Sequence, residues 1–365
     1  MQREIFMNQK KDIIIFSFTP SGTQQNQRIK SFLLAEGFTV MSFTSSRYAN
    51  EEILPLPKNP KDFIKSVWGS CDFLFIGAAG IAVRYIALSV HDKFTDSAVV
   101  VMDEKGNYII PLLSGHMGGA VTLANKISSL TKAIAIHTTA TDVQNVFAVD
   151  VFAKKNSMII SDRTLAKEIS AAILRNEPIG FYSDSPLYSW DESLPAELFY
   201  CKTETELQKY PYGICISHRS IHMVPSNTNI LTLEPKNITL GIGCRRGVPF
   251  SNVETAFLSA IQMLDISPLA IEALASIDIK KEEPALITFS EKYNLPFFTY
   301  SSDELKRTQI HSSGSKFVKQ VTGVDNVCER SAIFHCPNGQ ILLPKRIYDK
   351  VTISLAERPL HLTFS

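Results

Sequence analysis

Along the first part of the chain, short apolar runs alternate with amphipathic stretches of helical spacing. The runs DIIIFSF (12–18) and CDFLFIGA (71–78) are apolar at successive positions, which is typical of strands covered on both faces. Between them, residues 23–38 carry apolar side chains at helical spacing and end in a glycine turn. Further apolar runs at 98–104 and 133–142 are separated by another helical stretch. This alternation predicts a doubly wound, mostly parallel α/β sheet.

Loops that directly follow the strands of such a sheet are the expected ligand-binding positions, because ligands bind beyond the carboxyl ends of parallel strands. In this chain these loops are 77–80, 103–104 and 138–142. The first lies in GAAGIA, which lacks the G-x-G-x-x-G spacing, and the pattern G-x-x-x-x-G-K-[ST] is absent from the sequence. Ordinary dinucleotide and P-loop sites therefore have little support.

The rest of the chain predicts two further α/β domains. Residues 162–178 form a helix capped by its first residue, an aspartate, with short strand patterns around it. The run ITLGIGC (238–244) predicts a strand, and Ser251-x-x-Glu254 predicts a capping box at the start of the next helix. Residues 268–277 predict a further helix. We therefore expect an N-terminal doubly wound domain at 1–148, a small α/β middle domain at 149–235 and a C-terminal α/β domain at 236–365.

Composition and charge narrow the classes of partner. The 365 residues carry a formal net charge of +1, with 45% hydrophobic and 20% charged residues, so no global field attracts nucleic acid or an anionic membrane. The most apolar stretch, FLFIGAAGIAV (73–83), is too short for a membrane span, and the N-terminus lacks a signal-peptide pattern. The six cysteines form no CxxC pair. These features predict a cytoplasmic protein without a nucleic-acid partner, a membrane partner or a zinc site.

One histidine stands among glycines in PLLSGHMGGAVTLANKI (111–127), just before an amphipathic run. Gly115, Gly118 and Gly119 permit tight bending or the close approach of a ligand. The start of a helix favours an anion or a developing negative charge, and His116 there can transfer protons at neutral pH. The alternative is a glycine turn with a bystander surface histidine, and the motif alone does not decide between them.

Three other clusters have both a binding and a structural interpretation. Charged residues within 84–96 either contact a ligand or form a solvated surface with ordinary ion pairs. The hydroxyls and Asp142 of TTATD (138–142) either bind or cap a turn. Basic residues in and around GIGCRRG (241–247) either recognise carboxylates or phosphates or only increase solubility. Cys244 is either a reactive thiol whose pKa the arginines lower or a buried strand-end cysteine.

The motifs GIAVRYIA, HDKFTDSAVVVMDEKGNYIIPLLSGHMGGAVTLANKI and TTATD within 75–142 are followed by LGIGCRRGV, ASIDIKKEE and TGVDNVCERSAI within 238–356. Together they resemble the CbiG family, the cobalt-precorrin-5A hydrolases of anaerobic cobalamin biosynthesis. The resemblance implies an enzyme that hydrolyses a δ-lactone between the ring A acetate and the extruded meso carbon of a cobalt-bearing macrocycle. The alcohol then fragments, and the meso carbon leaves with its methyl as acetaldehyde, giving cobalt-precorrin-5B. Cobalt belongs to the substrate, and no separate cofactor is implied.

For that chemistry we expect proton transfer by His116, with Asp142 orienting it and Glu329 as a second candidate base. Backbone N–H groups at Gly118 and Gly119 would face the tetrahedral oxyanion. A ligand this large and flat would need a cleft between domains. The expected substrate contacts, which offer close backbone approach, a hydroxyl, a thiol or a charge, are Gly80, Arg84, Lys93, Asp96, Ser114, Gly118, Gly119, Thr139, Thr141, Gly243, Cys244, Arg245, Arg246, Lys280, Lys281 and Arg330.

Two other classes of protein are compatible with the same motifs. A non-catalytic corrinoid-binding or handover protein of the pathway would share the basic contacts but would not need His116 for turnover. An enzyme acting on a phosphate or nucleotide would use the helix start at Gly118 and Gly119 to bind it. The expected partners are a cobalt-corrinoid small molecule and, for handover, neighbouring enzymes of the pathway.

Overall fold

The computed structural model describes residues 12–92, 95–115, 118–139, 144, 146–191, 193–219, 229–309 and 314–364. The chain divides into two compact units, Met1–Asn145 and Val146–Ser365. Within the described residues, no helix is long and apolar enough to cross a membrane. All six cysteines are free thiols.

The described part of the first unit contains a seven-stranded sheet in the order β3-β2-β1-β4-β5-β6-β7. All neighbouring pairs are parallel except β5 and β6, which are antiparallel. The strands are β1 (Asp12–Ser17), β2 (Val40–Thr44), β3 (Leu54–Pro55), β4 (Cys71–Ile76), β5 (Val99–Met102), β6 (Tyr108–Leu113) and β7 (Ile134–Ala135). The helices are α1 (Pro20–Ala35), α2 (Pro60–Val67), α3 (Ala79–Ile86) and α4 (Ala120–Thr131), with a 3₁₀ turn at Ser46–Tyr48.

The two faces of this sheet are covered by different helices, because successive side chains of a strand point to opposite sides. Ile13 and Ile15 of β1 belong to a core shared with α1 and α4. Ile14 and Phe16 belong to a second core shared with α2 and α3. A run that is apolar at every position is therefore buried throughout, as the sequence predicts for a doubly wound sheet.

The antiparallel strand β6 divides the loops between opposite edges of the sheet. Loops after β4 and β5, which include 77–80 and 103–104, lie at the carboxyl edge of the parallel strands. Leu113, at the end of β6, pairs instead with Val99 at the start of β5, and β7 runs parallel to β6. The expectation that loops after strands mark one ligand-binding edge is therefore wrong here, since residues 114–115 and 136–139 follow strands of reversed direction.

The second unit begins with a five-stranded sheet, ordered β11-β9-β12-β13-β8 among the residues described. Its strands are parallel except that β8 is antiparallel to β13, and the short strand β10 pairs with a strand at the end of the chain. The strands are β8 (Met158–Ile160), β9 (Ile179–Ser183), β10 (Tyr188–Ser189), β11 (Leu198–Tyr200), β12 (Tyr212–Ile216) and β13 (Ile230–Pro235). The helices are α5 (Val149–Lys155), α6 (Arg163–Leu174) and α7 (Glu204–Leu207). Asp162 caps α6 as predicted, accepting the backbone N–H groups of Thr164 and Leu165.

A second five-stranded sheet of this unit, ordered β16-β15-β14-β18-β17, is parallel across β14, β15 and β16 and antiparallel at β18 and β17. The strands are β14 (Ile238–Cys244), β15 (Ile271–Ile277), β16 (Phe297–Tyr300), β17 (Gln340–Tyr348) and β18 (Val351–Glu357). The last strand, β19 (Leu360–His361), is the partner of β10. The helices are α8 (Phe250–Leu264), α9 (Pro284–Lys292), α10 (Ser302–Lys306), α11 (Lys316–Thr322) and α12 (Val327–His335), with 3₁₀ turns at Pro268–Ala270 and Asp278–Lys280. The predicted α/β class is confirmed in all three regions.

Two local predictions in this region are wrong. Residues 268–277 form a 3₁₀ turn and strand β15 instead of a helix, because β15 is buried between β14 and β16 and tertiary pairing overrides its helix-favouring alanine, leucine and glutamate residues. The capping box at Ser251 does not form, because α8 begins at Phe250 with Pro249 as its N-cap residue, two residues earlier than predicted. Glu254 instead accepts the Tyr293 hydroxyl at 2.7 Å and pairs with Lys292 at 2.6 Å.

A glycine in β14 lets helix α12 pack closely on the sheet, and its substitution tests that packing. A Cβ on Gly241 would lie 2.0 Å from the Cys328 carbonyl oxygen and 2.8 Å from the Ala332 Cβ. We expect Gly241→Ala to lower the free energy of unfolding by about 3 kcal/mol, the upper range for overpacking. Gly80→Ala in α3 is the control, because its nearest neighbour, Arg84, would be 3.8 Å away. Urea titration of both variants measures the effect, and equal midpoints would contradict the close packing.

Candidate functional site

A cavity of about 190 Å³ lies in the first unit, at the edge where β6 and β7 end. One part of its lining is apolar and the other carries hydroxyls and an imidazole. Its lining residues are Pro111, Leu112, Leu113, Ser114, Gly115, Val121, His137, Thr138 and Thr139. The cavity therefore brings together the residues before His116 and those before Asp142, at the edge created by the reversal of β6.

Ser114 is the polar residue at the end of β6, and its backbone has the positive φ of 55° that few side-chain-bearing residues adopt. Its Oγ atom is buried and has no hydrogen-bond partner among the described residues. The backbone oxygen of Ser114 accepts the N–H of Ala120 at 3.2 Å, and that of Gly115 accepts the N–H of Val121 at 3.0 Å. These bonds hold the first turn of α4 directly against the end of β6.

The two glycines before α4 are required by this turn. A Cβ on Gly118 would lie 2.2 Å from the Ser114 Cβ and 2.8 Å from the Ser114 carbonyl oxygen. Gly119 is the N-cap residue of α4 and has a φ of 99°, in the left-handed region that glycine adopts readily. The geometry of the turn therefore explains why glycine occupies both positions, without any ligand.

His137 is a cavity residue that the sequence reasoning missed. It follows β7, whose register places Ile134 opposite Tyr108 of β6, so the ends of the two strands lie side by side. The Nδ1 atom of His137 is buried and has no hydrogen-bond partner within the described part of the chain. The available pattern was a histidine directly after a short strand and before the TTATD motif.

The other predicted contacts of the first unit are dispersed. The Asp96 carboxylate is buried and accepts hydrogen bonds from Trp68 Nε1 at 3.0 Å and from the His91 N–H at 3.1 Å, so the protein itself occupies it. Gly80 and Arg84 are exposed and follow β4, at the edge opposite the cavity. Thr139 lines the cavity. The remaining predicted residues of this unit, Lys93, His116, Thr141 and Asp142, lie outside the described residues.

In the second unit, a buried ion pair stands at the carboxyl ends of β14 and β15. Lys280 Nζ lies 2.8 Å from Glu283 Oε2, and both side chains are buried. The other oxygen of Glu283 accepts the N–H of Gly247 at 2.7 Å. Lys280 is therefore a partner of Glu283 instead of a free cation. Arg245, Arg246 and Lys281 are exposed at the same edge of the sheet.

Cys244 lies at the end of β14, where burial opposes the lowering of its thiol pKa that the neighbouring arginines suggested. Burial raises the pKa of its thiol to about 11, although Lys280 acts in the opposite direction. Gly243 beside it has a packing reason, because a Cβ there would lie 2.7 Å from Thr352 Oγ1. The strand-end interpretation of Cys244 is the one that the structure supports.

Glu329 and Arg330 serve the packing of α12. One oxygen of the buried Glu329 carboxylate accepts the N–H of Lys345 at 2.5 Å. Arg330 pairs with Asp325 at 2.9 Å and donates to the carbonyl oxygens of Leu305 and Thr308. Arg330 does not converge with Arg245 and Arg246 as a free carboxylate-binding group, because the ends of α10 and α12 already use its guanidinium.

The fold and the site define an α/β protein of three regions with a small, partly polar cavity in the first. Among the described residues, no group of three or more histidine, cysteine, aspartate or glutamate side chains is placed to hold a metal ion. Family models match in chain order: Cobalamin synthesis G N-terminal at 62–142, Cobalamin biosynthesis central region at 147–235 and Cobalamin synthesis G C-terminus at 238–356.

Two curated relatives match over nearly the whole chain, and a third matches over 72% of it. The chain is 32% identical to the cobalt-precorrin-5A hydrolase of Salmonella typhimurium, over 94% of this chain and 97% of that protein. It is 28% identical to the cobalt-precorrin-5A hydrolase of Priestia megaterium, over 97% of this chain and 96% of that protein. It is 26% identical to the probable cobalt-precorrin-5A hydrolase of Methanocaldococcus jannaschii, over 72% of this chain and 75% of that protein. The chain therefore belongs to the CbiG family, and the resemblance inferred from its motifs is confirmed.

Adjacent lysines at the C-terminal sheet allow a matched test of the buried ion pair. We expect Lys280→Met to lower the free energy of unfolding by about 3 kcal/mol or more, because it leaves the Glu283 carboxylate buried without its cation. Lys281→Met removes an exposed charge, so its effect should stay within about 0.5 kcal/mol. Urea unfolding of both variants measures the difference, and equal destabilisation would contradict the assigned pairing.

The raised pKa of Cys244 predicts slow alkylation. Near pH 8, a thiol with a pKa of about 11 is ionised roughly a hundredfold less than an ordinary cysteine, and only the thiolate reacts. Iodoacetamide labelling followed by peptide mass spectrometry should show Cys244 modified far more slowly than free cysteine, with the rate rising from pH 8 to pH 10. Rapid labelling at pH 7 would restore the hypothesis of a reactive thiol.

Proposed function

We propose that this protein is an enzyme that hydrolyses cobalt-precorrin-5A to cobalt-precorrin-5B and acetaldehyde. The observation on which the proposal rests is the match to a relative of that name over 94% of this chain and 97% of the relative. The match includes the β6 and β7 region that forms the cavity, since the N-terminal family model spans residues 62–142.

The proposed reaction has two steps. Water adds to the lactone carbonyl, and the acyl–oxygen bond breaks to give the ring A acetate and an alcohol on the meso carbon. A base then takes the proton of that alcohol, and the bond between the meso carbon and the macrocycle breaks. Its electron pair passes into the conjugated ring, which takes up a proton, and the meso carbon leaves with its methyl as acetaldehyde. The sum consumes one water and needs no oxidant or reductant.

Proton transfer in both steps is the role that we assign to His116, with Asp142 as its orienting partner. The support is positional, because Ser114 and Gly115 precede His116 and line the cavity. The start of α4, with Gly118 and Gly119 before it, supplies the positive end of a helix dipole beside the same turn. Loss of one backbone donor to a developing oxyanion typically costs about 3–4 kcal/mol of transition-state stabilisation.

Recognition of the acetate and propionate groups on the macrocycle is the role that we propose for the exposed cations. Arg245, Arg246 and Lys281 of the second unit are exposed at one edge of their sheet. Arg84 is exposed too, but it lies at the sheet edge opposite the cavity, so it is not assigned this role. A guanidinium binds a carboxylate through two parallel hydrogen bonds, which suits a ligand edged with carboxylates. Lys93 is proposed for the same role from its position in the motif.

Anaerobic turnover of cobalt-precorrin-5A with acetaldehyde detection tests the function. We expect the parent to release acetaldehyde, and His116→Ala to bind the macrocycle with similar affinity but to turn over at least 100-fold more slowly, the usual contribution of a general base. His361→Ala is the control, because this exposed histidine lies in the second unit.

Three outcomes are distinguishable in that experiment. Release by the parent with loss in His116→Ala supports both the reaction and the role of the base. Equal rates in the two proteins would remove His116 from the chemistry and make Asp142 the next residue to test. Binding without any acetaldehyde from the parent would favour the corrinoid handover protein. A separate thermal unfolding measurement with added nucleotides tests the phosphate-binding alternative, which stabilisation would favour.

A further inference from the structure

The cavity at the ends of β6 and β7 is too small for an entire macrocycle. Its volume is about 190 Å³, below the roughly 300–1,000 Å³ of pockets that enclose a drug-sized ligand. A tetrapyrrole-derived macrocycle exceeds that size, so only a part of such a ligand fits inside. The fragment that fits is a side arm of a few carbon and oxygen atoms.

The lining indicates what kind of arm fits. Leu112, Leu113 and Val121 provide apolar contacts for methylene or methyl groups. Ser114 and His137 also line the cavity, and each has a buried polar atom without a hydrogen-bond partner among the described residues. A buried polar group left unsatisfied costs about 1–3 kcal/mol, so a ligand oxygen that reached these two atoms would gain hydrogen bonds that the protein leaves unmade.

The two unpaired atoms match the chemistry of a carbonyl or carboxylate oxygen. A serine hydroxyl rotates and can donate, and an imidazole Nδ1 donates when it carries the proton. Oxygen on a short aliphatic arm is the acceptor that such a pair of donors would recognise. A phosphate arm would be expected to recruit a cation, and no lysine or arginine is among the described residues that line the cavity.

We propose that this cavity holds one oxygen-bearing arm of the ligand, and that His137 Nδ1 and Ser114 Oγ hydrogen-bond its oxygen atoms. The identity of the arm rests on the proposed function: it is an acetate-derived arm of the macrocycle, either the ring A lactone arm that reacts or an acetate that does not. His137 is thus a substrate-binding residue distinct from His116, on the neighbouring strand.

Substitutions at His137 separate its two nitrogens. Asparagine places an amide N–H near the position of Nδ1, glutamine places it near Nε2, and phenylalanine retains only the ring shape. We expect His137→Phe and His137→Gln to weaken equilibrium binding of cobalt-precorrin-5B about tenfold, and His137→Asn to stay within about threefold of the parent. Ser114→Ala should weaken binding similarly. His361→Asn is the matched histidine control, and thermal unfolding of every variant monitors folding.

Turnover of cobalt-precorrin-5A distinguishes the two possible arms. A fall in kcat for His137→Phe larger than its rise in KM identifies the reacting lactone arm, whereas a rise in KM alone identifies a non-reacting acetate. If the parent binds the product but releases no acetaldehyde, the proposed function fails while the binding series still tests the cavity.

Two results would overturn the proposal. Unchanged affinity in His137→Phe together with a lowered melting temperature would mean that Nδ1 is bonded within the protein. Equal weakening by His137→Asn and His137→Gln would mean that Nδ1 is not the contacting atom. Either result would leave the hydrolase proposal unaffected, because that proposal depends on acetaldehyde release by the parent.

Discussion

The position of the candidate site depends on the turn at Asp103. The carboxylate of Asp103 accepts the backbone N–H groups of Lys105 and Tyr108, and Gly106 provides the positive φ of 72° that the reversal needs. This turn makes β6 antiparallel to β5 and carries β6 and β7 back to the amino edge of the sheet. Without it, Ser114 and His137 would follow strands that run in the common direction, and the cavity would not lie where it does.

Buried polar groups in this protein divide into those that the protein satisfies and those that it does not. Asp96, Lys280 and Glu329 are buried and have partners within the chain, as the cost of an unpaired buried charge requires. Ser114 Oγ and His137 Nδ1 are buried atoms without a partner in the described part of the chain, and a carboxylate oxygen of the buried Glu234 is another. Of these three residues, Ser114 and His137 line the cavity, so theirs are the missing partners that a ligand there can supply.

Much of the fold was predictable from local patterns, and so were the two motifs that contribute Ser114 and Thr139 to the cavity, but His137 was not. The apolar runs predicted β1, β4 and β14 correctly, because most residues of each strand are apolar and most are buried. Strand β15 was missed, since its neighbours in the sheet, and not its own residues, make it a strand. The ion pairs of Arg330 and Lys280 could not be predicted from the sequence either, because the geometry of the loops decides which carboxylate each cation meets. The residue pattern alone does not distinguish a paired cation from a free one.

The glycines before α4 affect the candidate site through the turn that they form. Tight bending and the close approach of a ligand were the two expected reasons for Gly118, and the neighbour that excludes a side chain there is Ser114, so the turn is the reason that the structure supports. Gly118 and Gly119 let α4 start immediately after β6, with the N–H of Ala120 bonded to the Ser114 carbonyl oxygen. That bond holds the backbone of Ser114, a residue of the cavity lining, in its positive-φ conformation. The glycines thus contribute to the site by positioning a serine, so their effect on a ligand is indirect.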